Sequence, residues 1–313
     1  MSQLSFAEAE YAAKKRTTRR EAFLQQMDGL IPWSELEARI APHDAKGSQG
    51  RPPYPLSVML RVHCLQLFYN LSDPALEDAL YEVESMRRFA GVKLDRLPDE
   101  TTILNFRHLL ESHGLGKELF AAINAHLASR GLMLRAGTIL DATVIAAPSS
   151  TKYHAAARDC EMHQTRKGKN WHFGMKLHIG ADDAVGLVHS VVTTAANEAD
   201  INVAERLLHG DEREVWADAG YRGLDKRQSQ RSVAWHIALA AGKRAALAPD
   251  DPRAVAERAQ ARVRAKVEHP FRYVKQVFGY AKVRYRGLAK NMNRLYVLLG
   301  LANLLIGRRY LVA

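Results

Sequence analysis

Two textures divide the chain. Up to about residue 130, apolar positions recur every three to four residues; beyond Leu132 they alternate or run together. The first spacing lines one face of a helix and the second lines one face of a strand. Residues 1–130 are therefore read as an all-α block. Residues 131–313 are read as a second domain of strands followed by helices, with the boundary at 131–136.

In the first block the pattern predicts helices over Phe6 to Lys15, Thr18 to Met27 and Trp33 to Ile40. An amphipathic helix follows from Pro55 to Tyr69. The next runs from Ser72-Asp73-Pro74 to Phe89, another from Pro98-Asp99 to Gly114, and the last from Gly116 to Arg130. Ser72 is a capping residue with proline in the first turn, and Gly91, Gly114 and Gly131 are stop signals. Lys46 to Pro55 reads as a linker by its Gly and Pro content. Arg51 within it is a candidate minor-groove contact. Residues 72–113 form a candidate helix-turn-helix, with Thr101, Thr102, Asn105, Arg107 and His108 on its exposed face.

The second domain opens on Gly137-Thr-Ile-Leu-Asp141-Ala-Thr-Val-Ile-Ala-Ala147, a strand with one charge. Ser149 to Asn170 reads as a basic excursion carrying Lys152, Arg158, Arg166, Lys167 and Lys169. Trp171 to Ile179 alternates, with Trp171, Phe173, Met175, Leu177 and Ile179 on one face and His172, Lys176 and His178 on the other. The two histidines are read as sheet-surface residues, and Trp171, Trp216 and Trp235 as core. A turn at Asp182-Asp183 with Gly186 leads to a strand over Leu187 to Thr194. Asp200 to Leu208 is a short helix, with Asp200 read as its cap. Strands at Glu214 to Ala217 and Ser232 to Ile237 complete a mixed five-stranded sheet, and Pro252 to Arg309 is mostly helical. This α+β order resembles the ribonuclease H-like fold, a likeness of fold that says little alone about chemistry.

The composition narrows the partner. Hydrophobic residues make up 47% of 313 and the formal net charge is +11. A folded chain this basic favours a polyanion, above all nucleic acid. Clusters at Lys14-Lys15-Arg16 and Arg19-Arg20 fit phosphate contact or a solvated face. Two cysteines, Cys64 and Cys160, leave no disulfide framework or thiolate zinc motif and suit a reducing cytoplasm. No signal peptide is read at residues 1–20. The apolar run Leu295 to Ile306 is too short for a bilayer.

Three acids carry the candidate chemistry. A bare carboxylate at Asp141, inside an apolar strand, costs several kcal/mol of hydration unless a base, a proton or a metal ion offsets it. Asp218 ends the short strand Glu214 to Ala217, as a ligand or as a turn residue. In an unbroken helix Arg264, Glu268 and Lys275 share one stripe, as a salt-bridge ladder or as a metal ligand between phosphate-binding bases. Pro270 kinks that helix near Lys266 to Glu268.

The ordered set Leu140-Asp141-Ala-Thr, Ala217-Asp218-Ala-Gly-Tyr and Arg264/Glu268/Lys275 resembles the transposases of bacterial insertion sequences, in the insertion sequence five family. The Lys176 strand, Asn197 to Asp200 and Pro98 to Arg107 also resemble it, so the likeness covers nearly the whole chain. Ala261 stands where the family's pattern has Tyr. The 50 residues from Asp218 to Glu268 leave no room for the large β-rich insertion of some relatives. The resemblance implies a catalytic triad of Asp141, Asp218 and Glu268 holding Mg²⁺ or Mn²⁺, with two ions at work. It implies phosphate contacts from Arg264 and Lys275; Lys176, Arg272, Arg51, Arg107, Lys167 and Lys169 are further candidate DNA contacts read from the basic residues themselves. The partner is double-stranded DNA, as terminal inverted repeats and target, bound by a homodimer or higher oligomer in the bacterial cytoplasm at the nucleoid. A DNA-binding regulator on the same fold, or a ribonuclease H-like nuclease without strand transfer, are the alternatives.

Overall fold

A computed structural model describes residues 11, 13–44, 52–133, 136–149, 158–229 and 232–311. The helix expected over Phe6 to Lys15 and the linker with Arg51 fall wholly or mostly outside those residues.

The helical block comprises α1 (Arg19–Leu30), α2 (Trp33–Ile40), α3 (Leu56–Phe68), α4 (Asp73–Glu82), α5 (Glu84–Ala90), α6 (Glu100–Ser112) and α7 (Leu115–Ser129). Local caps set the starts. Thr18 and Glu21 form a capping box at α1. Ser72 accepts from the Ala75 amide at 3.3 Å and Asp99 from the Thr102 amide at 2.7 Å. The single helix expected from Ser72 to Phe89 is two. Val83 adopts an extended conformation, and Arg87 Nη1 donates to the freed carbonyls of Leu80 and Tyr81 at 2.8 and 2.6 Å. Gly91 then ends α5 at φ +72, a conformation that favours glycine.

The amphipathic expectation for α3 does not hold. Every residue from Met59 to Phe68 except Arg61 is buried, His63 and Gln66 included. The helix lies at the centre of the block, and the buried Gln66 donates from Nε2 to Asp73 at 2.6 Å.

Among the described residues the sheet has six strands rather than five: β1 (Gly137–Ala146), β2 (His163–Lys167), β3 (Asn170–Asp182), β4 (Val188–Ala195), β5 (Glu214–Ala217) and β6 (Ala234–Ile237). The extra strand, β2, lies inside the stretch read as an excursion. It carries no apolar alternation because both its faces are solvated beyond the sheet body. Strands are ordered β2-β3-β1-β5-β6, with β4 also paired to β3. β1 is antiparallel to β3 and parallel to β5, and β5 is parallel to β6. The Asp182 carboxylate makes the β3–β4 turn by accepting from the amides of Ala184, Val185 and Leu187.

α8 (Pro252–Arg264), a 3₁₀ turn (Ala265–Val267), α9 (Glu268–Arg272) and a π-helical turn (Tyr273–Val277) follow. The broken geometry replaces the continuous helix considered for Arg264 to Lys275, as a proline at 270 requires. The apolar run near the end is buried within α10 (Leu288–Leu311). No described helix is long and apolar enough to cross a membrane.

One hydrophobic cluster joins the helical block to the sheet, running from Leu24 through α3 and α7 to β3 and α10. Asn303 on α10 pins the union. It accepts from the Val188 amide at 2.8 Å, and it donates to the Val188 carbonyl at 2.7 Å and to Asn124 on α7 at 2.8 Å. A change of texture near residue 131 therefore marks a change of architecture without a break in the core.

Candidate active site

The strand register decides which way Asp141 faces. Asp141 stands opposite Ile179, Thr143 opposite Leu177 and Ile145 opposite Met175. Directly paired residues share a face. Ile145, Met175, Leu177 and Ile179 pack with Val267, Phe271 and Val274. Leu140, Val192, Val215, Ala217 and Tyr221 fill a separate cluster on the other face. Asp141 thus points to the side covered by residues 263–278, where Glu268 begins α9. Asp218 follows Ala217, the partner of Leu140 across β1 and β5, so it leaves the sheet beside Asp141. Its side chain caps the turn Ala219–Tyr221 by accepting from the Gly220 amide at 2.8 Å. The turn role and a role as ligand use different lone pairs of one carboxylate.

The charges of Asp218 and Glu268 are both felt at Asp141. Burial pushes the Asp141 carboxyl up to about 6; the Ala142 amide and Arg264 oppose the shift, and the negative charges of Asp218 and Glu268 add to it. Arg264 is therefore a cation whose charge offsets part of the cost of burying this carboxylate. Lys275 reaches the same strand, donating to Thr143 Oγ1 at 2.6 Å. Its ammonium is held below the usual lysine range by burial and by the charge of Lys167, against the pull of Glu268.

These donors fit a hard divalent cation. They are carboxylate oxygens, one of them desolvated and destabilised by the other two, which is the situation a cation relieves. As placed, no three His, Cys, Asp or Glu groups among the described residues stand close enough to hold a metal ion.

Several sequence expectations are corrected here. Arg107 is not on an exposed face. It is buried, pairing with Asp73 at 3.0 Å and Glu111 at 2.8 Å, because it faces α4 rather than solvent. Lys176 is already engaged: Nζ donates to Asp200 at 2.9 Å and to the Glu198 carbonyl at 2.6 Å, on the face opposite Asp141. Asp200 makes no cap for its helix, whose N-cap is Ala199. His178 is fully buried, bonded to Thr194 at 2.9 Å, and burial pushes it down to about 4. Trp171 is 66% exposed and not core, whereas Trp216 and Trp235 pack against the two clusters. Arg272, Lys167 and Lys169 are exposed, as phosphate contacts need to be.

Thr143 and Tyr221 close two of the segments quoted from the sequence, which assigned a role to neither. Thr143 has no signal beyond its place two residues after Asp141. Tyr221 is fully buried with an unpartnered hydroxyl, and burial together with Asp200, Asp141 and Asp218 raises it well above the usual tyrosine range.

Residues 133–304, which contain all three acids, match the family described as Transposase DDE domain. Residues 11–109 match the family described as Transposase domain (DUF772). No solved structure matches the chain.

Proposed function

The chain belongs to the Transposase DDE domain family, and from that membership we propose that it mobilises an insertion sequence of the insertion sequence five type. It binds the terminal inverted repeats, cuts the DNA at the element's ends to free a 3′-hydroxyl, and joins that hydroxyl to target DNA. The observation that carries the reading is the meeting of charges at Asp141. Burial lifts a carboxyl on the central strand to about 6, the charges of Asp218 and Glu268 add to the lift, and Arg264 opposes it.

Asp141, Asp218 and Glu268 would hold Mg²⁺ or Mn²⁺. When bound, the metal supplies Lewis-acid polarisation of the scissile phosphate and lowers the pKa of the attacking water. The chain's own residues do the rest. Asp141 contributes a rigid oxygen, fixed by the Ala142 amide at 2.7 Å. Arg264 and Lys275 meet the non-bridging phosphate oxygens and neutralise charge that grows in the transition state. The Thr143 hydroxyl holds Lys275 in reach of the strand. Arg272, Lys167 and Lys169 extend the contact along the backbone of the DNA, where they set affinity without reading sequence. The two ends of an element must be held together, so the working form is at least a dimer.

A strand-transfer assay tests this. Labelled terminal-repeat duplex, supercoiled plasmid and Mg²⁺ should yield nicked ends and joined product. Each of Asp141→Ala, Asp218→Ala and Glu268→Ala should abolish both while binding survives. Cutting without joining would make the protein a nuclease, and binding without cutting would make it a regulator.

A further inference from the structure

β2 and the first residues of β3 stand out from the sheet as a two-stranded ribbon. β2 pairs with β3 over Asn170 to Gly174, while β4 pairs only from Met175 onward and β1 ends opposite Gly174. Gly168 makes the turn at φ +62. A ribbon of this size has no core of its own, so its side chains answer to a partner or to water.

The chemistry of the ribbon is one-sided. From His163 to Ala181 there is no acid, while Arg166, Lys167 and Lys169 supply positive charge within the ribbon. Arg166, Lys167 and Lys169 are exposed, and Trp171 is the most exposed large hydrophobic side chain among the described residues, at 66%. Arg166 pairs with Trp171 across the ribbon, so the guanidinium and the indole share a face. That face is the one that carries Asp141. Trp171 lies eight residues before Ile179, the partner of Asp141, on the same strand and with the same parity. At about 3.3 Å per residue the separation is roughly 26 Å.

A single exposed apolar residue needs no explanation. An exposed indole among cations, on the catalytic face, is a different case. Cations draw a phosphate backbone to that face. Against a stacked duplex the indole would meet only base edges or sugar, but an unstacked base offers it a π-face. We propose that Trp171 is a stacking platform for an unpaired nucleotide of DNA, whose flanking phosphates are held by Arg166 beside it and by Lys169 at the turn. The site deepens the transposase reading and rests on it: DNA that spans from the acids to the ribbon is distorted where it meets Trp171.

The test compares two fluorescent probes in EDTA, a short duplex and the same duplex with a thymine bulge in one strand. Binding of the full chain is followed by anisotropy. Wild type should prefer the bulged probe by about tenfold, the scale of one base–aromatic stack. Trp171→Ala should bind both probes alike, and Trp171→Phe should keep most of the preference. Because Trp171 is exposed, its replacement should leave the melting point unchanged. A preference that survives Trp171→Ala overturns the proposal, as does a wild type without one. An equal loss on both probes also overturns it, because it would make Trp171 a backbone contact. A wild type that cuts terminal-repeat DNA yet shows no preference sinks this inference alone, whereas one that binds neither probe sinks the transposase reading with it.

Discussion

Lys275 donates from Nζ to the Thr143 hydroxyl at 2.6 Å, tying the π-helical turn after α9 to the strand that carries Asp141. The bond spans 132 positions of sequence, and it holds a desolvated ammonium at the strand that carries Asp141. Thr143→Val keeps the β-branched shape and removes the acceptor. Cleavage under single-turnover conditions should fall about tenfold, the scale of one charge-assisted hydrogen bond, while Lys275→Met should cost more because the charge goes too. If Thr143→Val cuts at the wild-type rate, the bond is not part of the working site.

Arg107 belongs to the fold. With its head buried between Asp73 and Glu111, Arg107→Met should destabilise the chain by about 3–5 kcal/mol, because both carboxylates lose their partner in a low-dielectric site. Urea unfolding measures this. The fraction that remains folded should bind DNA with wild-type affinity. A stable variant with weakened binding would return Arg107 to the DNA surface.

Asp141 should leave a signature in the pH dependence of stability without metal. Its folded value, about 6, lies above the ordinary 3.8, so the folded state holds the proton more tightly. That stabilisation is present below about pH 4 and is lost as pH rises through about 6. Asp141→Asn is neutral throughout. In EDTA, its stability relative to wild type should therefore rise by about 2–3 kcal/mol between pH 4 and pH 7. A difference that stays flat across that range would mean that Asp141 ionises without penalty.

Much of this architecture was legible in the sequence because it is local. Thr18, Ser72 and Asp99 act as caps within three residues of their partners, and the period-2 pattern of Trp171 to Ile179 survives as β3. What stayed hidden depends on distant partners. Arg107 reads as an exposed helical residue until Asp73, 34 positions away, is folded against it. Lys176 reads as free until Asp200 takes it. β2 has no apolar face to betray it, so it looked like a loop. The three acids are singled out by the company each keeps in sequence; the effect of Asp218 and Glu268 on Asp141 appears only when β1, the end of β5 and the start of α9 are set side by side.

The central claim is that Asp141, Asp218 and Glu268 share a cation, and a thermal-melt series on wild type and Asp218→Asn tests it most directly. In EDTA the variant should melt higher than wild type, since one of three repelling charges is gone at nearly equal shape. With Mn²⁺ well above its dissociation constant, wild type should gain about 5 °C and the variant distinctly less, because only the folded wild type offers the full set of oxygens. A variant that melts lower than wild type in EDTA, with the same shift on adding Mn²⁺, would reduce Asp218 to the cap of its own turn and contradict the shared site.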